Sequence, residues 1–552
     1  NTNVAWRIAR GEQNVVSPIQ DYWNGGNGGR RLFITIRDCN VFLENVVKVP
    51  DIEEMELVRW SAEAKFIKAY CLYWIFEKYG PIPIMRENLP IDAGVEEVKV
   101  RREPVDDVIS YIVDLMDEAI PGLPDVIESE ATELGRLTKV AAMAIKARVL
   151  VTAASPLFNG NTDYAHFVDY HGNPYFNQEY SEEKWRIAAE AAKEAIDFAH
   201  ENGHELYYAE TGRLGQVKLS DTTIIQLGIR GSITERWNCE LLWGDPNNRL
   251  AQVVYTPRSW DPQISLYGLS GRYGPPLKMI EQFYTDNGVP LDEDREWDYR
   301  GRYELAVAEH SDRYNIMEGY TTAKLHFKRE NRFYASIGFD GGVWYGQGRF
   351  NDNDPFYLMG KMGQSAGVID REFHSPTGYW PKKMVHPENE VRNTGYVQVW
   401  YPWPIIRLAD LYLLYAEAAN EYGGPSDEVY QYINLVRERA GLPTVQDSWS
   451  NYSTSPDKYL SKAGLRSIIH QERTIEMMFE GYRHSDLRRW KRAVAELNGN
   501  FISGWNIRQS EAPAYYKPRV IFVQEFTPKE YLWPLSEHSI LVNPNLDQNP
   551  GW

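Results

Sequence analysis

Cysteine is scarce in this 552-residue chain: Cys39, Cys71 and Cys239 stand far apart and form no CxxC pair. That excludes a disulfide framework and a thiolate zinc site, and no cofactor or metal is expected. Long apolar runs are missing too. No stretch reaches eighteen apolar residues, and even Pro402 to Asn420 is interrupted by Arg407 and Asp410, so no bilayer-spanning helix is expected. Cations are in deficit, 59 Lys plus Arg against 77 Asp plus Glu, for a formal charge of −18. Such a balance argues against a nucleic-acid partner. There is also no constant repeat period of the kind that marks a regular solenoid.

What the chain does have is aromatic side chains, 13% of its residues, with 18 Trp and 36 Tyr against 19 Phe. A Tyr or Trp joins a broad apolar face to a polar tip, which suits half-wet recognition surfaces as well as cores.

Helical periodicity is strong near both ends. From Trp60, the residues Ala64, Ile67, Cys71, Trp74 and Ile75 recur every three or four positions until Gly80-Pro81 stops the run. Pro104 to Ile120 repeats the pattern through Val108, Ile112, Leu115 and Ala119. A second pair, Thr138 to Thr152 and Ser181 to His200, carries alanines on its contact faces, which lets helices approach closely. Ile406 to Tyr422 and Asp427 to Ala440 form a third pair, and Gly464 to Glu480 with His484 to Leu497 a fourth. The expected fold is mainly α, about four tetratricopeptide-like hairpins interrupted by a large loop-rich insertion with short strands.

Three regions follow: helical residues 1–202, an aromatic-rich, loop-rich insertion over 203–404, and a helical region over 405–552 packed with the first. Thr223 to Ile229 reads as a short strand and Leu277 to Tyr284 as a brief helix. Rings such as Trp237, Trp260, Trp344 and Trp380 argue that the insertion is ordered.

Catalytic signals are weak. His200-Glu201-Asn202-Gly203-His204 matches H-E-x-x-H, but Asn-Gly is a helix terminator, so the two imidazoles are not expected to share a helix face. Gly268-Leu269-Ser270-Gly271 falls one residue short of a nucleophile elbow, and the acidic runs at 292–294 and 352–354 lack EF-hand spacing. Glycosidic cleavage needs two carboxylates flanking the bond, and no dyad stands out among 77 acids.

Six segments in order resemble the SusD/RagB family of outer-membrane nutrient-binding lipoproteins. The first runs from Asp21-Tyr22-Trp23 to Arg37-Asp38-Cys39-Asn40-Val41-Phe42-Leu43. Glu63-Ala64-Lys65-Phe66 leading to Tyr79-Gly80-Pro81-Ile82-Pro83 follows, then Ala154-Ser155-Pro156-Leu157-Phe158-Asn159-Gly160. Arg407-Leu408-Ala409-Asp410-Leu411-Tyr412, Glu472-Arg473 to Phe479-Glu480-Gly481-Tyr482-Arg483, and Asn543-Pro544-Asn545-Leu546 complete the set. Glu472, Glu476 and Glu480, with Arg473 and Arg483 nearby, read as an ion-pair network that fixes the scaffold.

The resemblance implies a non-catalytic protein that binds an oligosaccharide or polysaccharide at the cell surface and passes it to a SusC-like TonB-dependent transporter. A peptide ligand, as in RagB-like proteins, is the alternative, and a secreted glycoside hydrolase a more distant one. It also implies an outer-membrane location through an N-terminal lipidated cysteine. The first cysteine here is Cys39, inside an expected helix, so that anchor and its signal peptide are expected to lie outside this chain. By the same resemblance, ligand aromatics come from the early segment and the insertion: Tyr22, Trp23, Trp297, Tyr299, Tyr320 and Trp344, with Asp21, Asn24 and Arg30 as rim groups.

Overall fold

The computed structural model describes residues 4–209, 218–258, 269–369, 373–392 and 395–552. Trp260 and Gly268 lie outside them. The chain forms two units: Asn1–Asn202 with Arg483–Asn500 and Val523–Trp552, and Gly203–Tyr482 with Phe501–Phe522. The fold is mainly helical, and its strands pair two by two. In chain order the main helices are α1 (Leu32–Val46), α2 (Glu54–Tyr79), α3 (Val105–Ala119), α4 (Lys139–Ala154) and α5 (Glu182–Glu201). Then come α6 (Asp221–Thr234), α7 (Leu408–Gly423), α8 (Asp427–Arg439), α9 (Lys462–Glu476) and the short α10 (Glu537–Val542).

In the first unit α1 packs on α2, α2 on α3, and α4 on α5. Helix α3 follows the sequence pattern: Val108, Ile112, Leu115 and Ala119 are all buried, and Asp106 and Asp107 face the positive end of its dipole. Helix α2 departs from it. Trp60 and Ile67 stay exposed while Phe66, Leu72, Tyr73, Phe76 and Tyr79 are buried, because the C-terminal half of α2 is enclosed on nearly every side. Gly80 ends the helix at φ +72, where a Cβ would press on Phe176 and Leu532. The α4–α5 contact is lined by Ala144 and Ala147 against Ala188, Ala192 and Ala195, all fully buried.

In the second unit α7 packs against α8 and α9. Among the described residues, five two-stranded antiparallel pairs organise the insertion, including Leu241–Asp245 with Trp403–Arg407 and Ile337–Phe339 with Tyr379–Pro381. Three expectations are corrected here. Thr223 to Ile229 is helical, part of α6, whose Ser220 hydroxyl caps the Thr223 N–H. The brief helix spans only Leu277–Ile280. The last hairpin arm is broken into Arg483–Arg489 and Ala493–Leu497, with Lys491 at φ +56 between them.

A buried cluster of five carboxylates and five cations holds this unit together. Arg407 meets Glu240 at 2.5 Å, Glu480 at 2.7 Å and Glu476 at 2.9 Å. Arg439 joins Glu240 to Glu476, Arg332 joins Glu330 to Glu472, Arg437 pairs with Glu472, and Lys383 with Glu480. Burial alone would push the Glu476 carboxyl up, but the Arg439, Arg407, Lys383 and Arg332 charges outweigh it and hold it well below the usual range. The expected partners were only partly right: Arg473 pairs with Asp410, and Arg483 with Glu496 of the first unit's own segment.

Removing one member of such a cluster strands its partners' charges away from water. Glu476→Ala is therefore expected to lower stability by about 3–5 kcal/mol in urea unfolding followed by fluorescence. A loss below about 1 kcal/mol would contradict the role given to the cluster.

Candidate functional site

The segment Asp21-Tyr22-Trp23-Asn24-Gly25-Gly26-Asn27-Gly28-Gly29 folds into a tight double turn. Asp21 organises it: its carbonyl accepts from Gly25 and Gly26 N–H at 2.8 and 3.0 Å, and its carboxylate accepts from the Asn24 N–H and side-chain amide. Gly25 and Gly28 sit at φ +75 and +89, and a Cβ on Gly29 would lie 2.2 Å from the Asp21 carbonyl oxygen. Only glycine fits there.

This turn displays two rings. Tyr22 stacks on Trp533 and tilts against Trp74, each at 6.0 Å between centroids. Trp23 meets Tyr79 and Phe33 edge-on at 5.3 and 5.4 Å, and its backbone N–H donates to the Tyr79 hydroxyl. Both rings are half-buried, so each keeps part of its surface open. Behind Tyr22, burial pushes the Glu77 carboxyl up, but the adjacent Lys78 and Arg488 charges overcome this and bring it down to about 2.

Trp23 and Asn24 line a groove of about 530 Å³ in the first unit. Its floor and walls come from Phe33 and Arg37 of α1, Pro83 to Leu89 after α2, and His538 to Leu546 around α10. Asn24 is tied down by Ser536 and Ser539, which link the turn to the start of α10. A groove of this size with aromatic walls and a few polar groups has the dimensions of a small-ligand site.

Of the nine sequence-derived residues, Trp23 and Asn24 line the groove. Tyr22 and Arg30 flank it in sequence, and the Arg30 charge acts on the Tyr22 hydroxyl. Asp21 is buried, and its carboxylate is spent on its own turn rather than offered as a rim group. The other four belong to the second unit. Tyr299 is exposed, with the Arg302 guanidinium 4.1 Å above its ring. Trp297 is half-buried against the core and donates its indole N–H to the Phe327 carbonyl. Tyr320 has its ring occupied by the Lys361 ammonium at 4.1 Å and its hydroxyl bonded to Asp340.

Trp344 is the plain correction. It is wholly buried, packed with Phe356, Leu358, Trp380 and Val385, because its strand pairs inward against Phe356–Tyr357. The H-E-x-x-H stretch is likewise resolved. Helix α5 ends at Glu201 and Gly203 adopts φ +83, so His200 and His204 share no helix.

Sequence reasoning missed Phe33, Asn88 and His538 as lining residues and gave Arg37 no ligand role. Arg37 carried a signal, since Arg30, Arg31 and Arg37 lie in a stretch without an acid. His538 reaches the groove from about 500 residues away in sequence, which no local pattern can show.

A profile described as "SusD family" matches residues 244–552, and one described as "Starch-binding associating with outer membrane" matches residues 3–151. The SusD-like protein P25 of Formosa agariphila is 23% identical over 481 residues, covering 86% of this chain and 70% of that one. The solved structure of BT4246 superposes with a TM-score of 0.85 at 26% identity, covering 100% of this chain and 92% of the other. A SusD-like carbohydrate-binding protein of Bacteroides fragilis, BF0978, gives 0.63 at 20% identity, with 99% and 90% covered.

The burial of Trp344 generates a sharp contrast with an open ring. Trp344→Ala is expected to cost about 3–5 kcal/mol of stability in chemical denaturation. An unchanged transition would return that residue to the surface.

Proposed function

We propose, because the chain belongs to the SusD family, that it holds an oligosaccharide or polysaccharide without altering it and delivers it to a SusC-like TonB-dependent transporter at the outer membrane. The observation that carries this reading is the match of residues 244–552 to that family, joined to a groove whose open ring is Trp23. The match of residues 3–151 to the profile described as "Starch-binding associating with outer membrane" supports the location.

A pyranose ring has apolar C–H faces and a hydroxyl rim. Trp23 supplies a face for the former, and Asn88 and Arg37 supply an acceptor and donors for the latter. Tyr22 and Arg30 extend the same surface at the turn. Trp297 and Tyr299, on the insertion, form a separate aromatic contribution, with Arg302 fixing the Tyr299 ring.

Binding without chemistry has a direct test. In calorimetry against a panel of plant and algal oligosaccharides, wild type binds at least one, and Trp23→Ala weakens that binding about fivefold to thirtyfold, the loss of one stacking ring. Prolonged incubation releases no new reducing ends. Equal binding by the variant would remove the groove from the site, and steady release of reducing ends would make the protein a hydrolase.

A further inference from the structure

The charge inside the groove runs against the charge of the chain. With a formal charge of −18, a random surface hollow is expected to contain carboxylates, yet among the described residues the only ionisable side chains lining this one are Arg37 and His538. Both are exposed. Among the described residues, neither side chain forms an ion pair or hydrogen bond, and the same holds for the side chains of Arg30 and Arg31 at the start of α1. Elsewhere the chain pairs its arginines readily: Arg86 with Glu103, Arg136 with Glu63, Arg186 with Glu183. Arg37 and His538, two unengaged groups in one aromatic hollow, therefore stand out from the pattern of the protein.

Apart from Asn88, the neutral polar groups in the groove are already committed. Asn24 is bonded to Asp21, Ser536 and Ser539, and Asn543 donates to the Val100 carbonyl. Asn88 donates weakly to the Arg37 carbonyl at 3.4 Å, and among the described residues its side-chain oxygen accepts no hydrogen bond. What remains for a ligand is a guanidinium, an imidazole and one amide oxygen around an indole. A hydroxyl rim alone would leave the guanidinium's fork underused, whereas a carboxylate or sulfate matches it in both charge and geometry.

Resting on the glycan reading above, we propose that this groove selects anionic oligosaccharides, whose rings bear a carboxylate or a sulfate. Arg37 is the group that contacts the anion, His538 a second donor, and Trp23 the platform under the sugar ring. The charge favours an acidic sugar over a neutral one of the same shape.

Matched pairs isolate that charge. Full-length chain is titrated in a calorimeter with oligogalacturonate and its full methyl ester, with a uronate oligomer of alginate, and with sulfated and desulfated carrageenan oligosaccharides. At least one acidic ligand is expected to bind about tenfold or more tightly than its neutral or desulfated counterpart, with affinity falling as salt rises. Arg37→Gln erases the preference with an unchanged unfolding temperature, and Arg37→Lys retains part of it. Equal affinity for charged and neutral members, or a preference that survives Arg37→Gln, overturns the proposal while leaving glycan binding intact. Absence of binding to every oligosaccharide overturns both. Capture by phosphatidylglycerol vesicles that needs Arg37, without acidic-glycan binding, overturns it in favour of a membrane surface.

Discussion

The second unit depends on charge neutralisation in a place water does not reach. Arg407 leaves its strand to meet Glu240 of the insertion, Glu476 at the end of α9 and Glu480 just beyond it. Each of these ions would be costly to bury alone, so the cluster is stable only when all its members arrive together. That makes it a device for register: α8, α9, the strand before α7 and the insertion share one set of partners. A long, loop-rich segment is thereby fixed at several points besides its apolar clusters, such as the one around Trp344 and Trp380.

Much of the helical scaffold was legible because its period is written in apolar residues. The exception at Thr223 to Ile229 is instructive. Thr223, Ile224 and Ile225 are β-branched, and Gly228 and Gly231 are poor helix formers, yet the segment is helical. Gly231 is required there by the Tyr207 ring, which would lie 2.3 Å from an added Cβ. Propensity was overridden by a tertiary contact. Burial of the aromatics was less legible, since Trp344, Trp380 and Trp505 share the composition of a binding surface but fill cores.

The candidate groove was legible only in part. The glycine-rich turn at 21–29 announces itself, because only glycine and asparagine tolerate its backbone, and the rings beside it are displayed as the pattern suggests. Its partners were not, since Arg37 points from a helix chosen for its apolar face and His538 comes from the far end of the chain. The resulting hollow combines an indole with unpaired cationic and imidazole groups, a local reversal of the protein's overall acidity. Recognition, as proposed, is a matter of shape and charge held rigid by helices.

The measurement that tests this most directly is hydrogen–deuterium exchange by mass spectrometry with and without a bound oligosaccharide, the sugar being recovered and sized afterwards. The account predicts slowed exchange in the peptides spanning residues 21–37 and 536–546, with the sugar returned at its original length. Protection confined to other segments, or a shortened sugar, would contradict it.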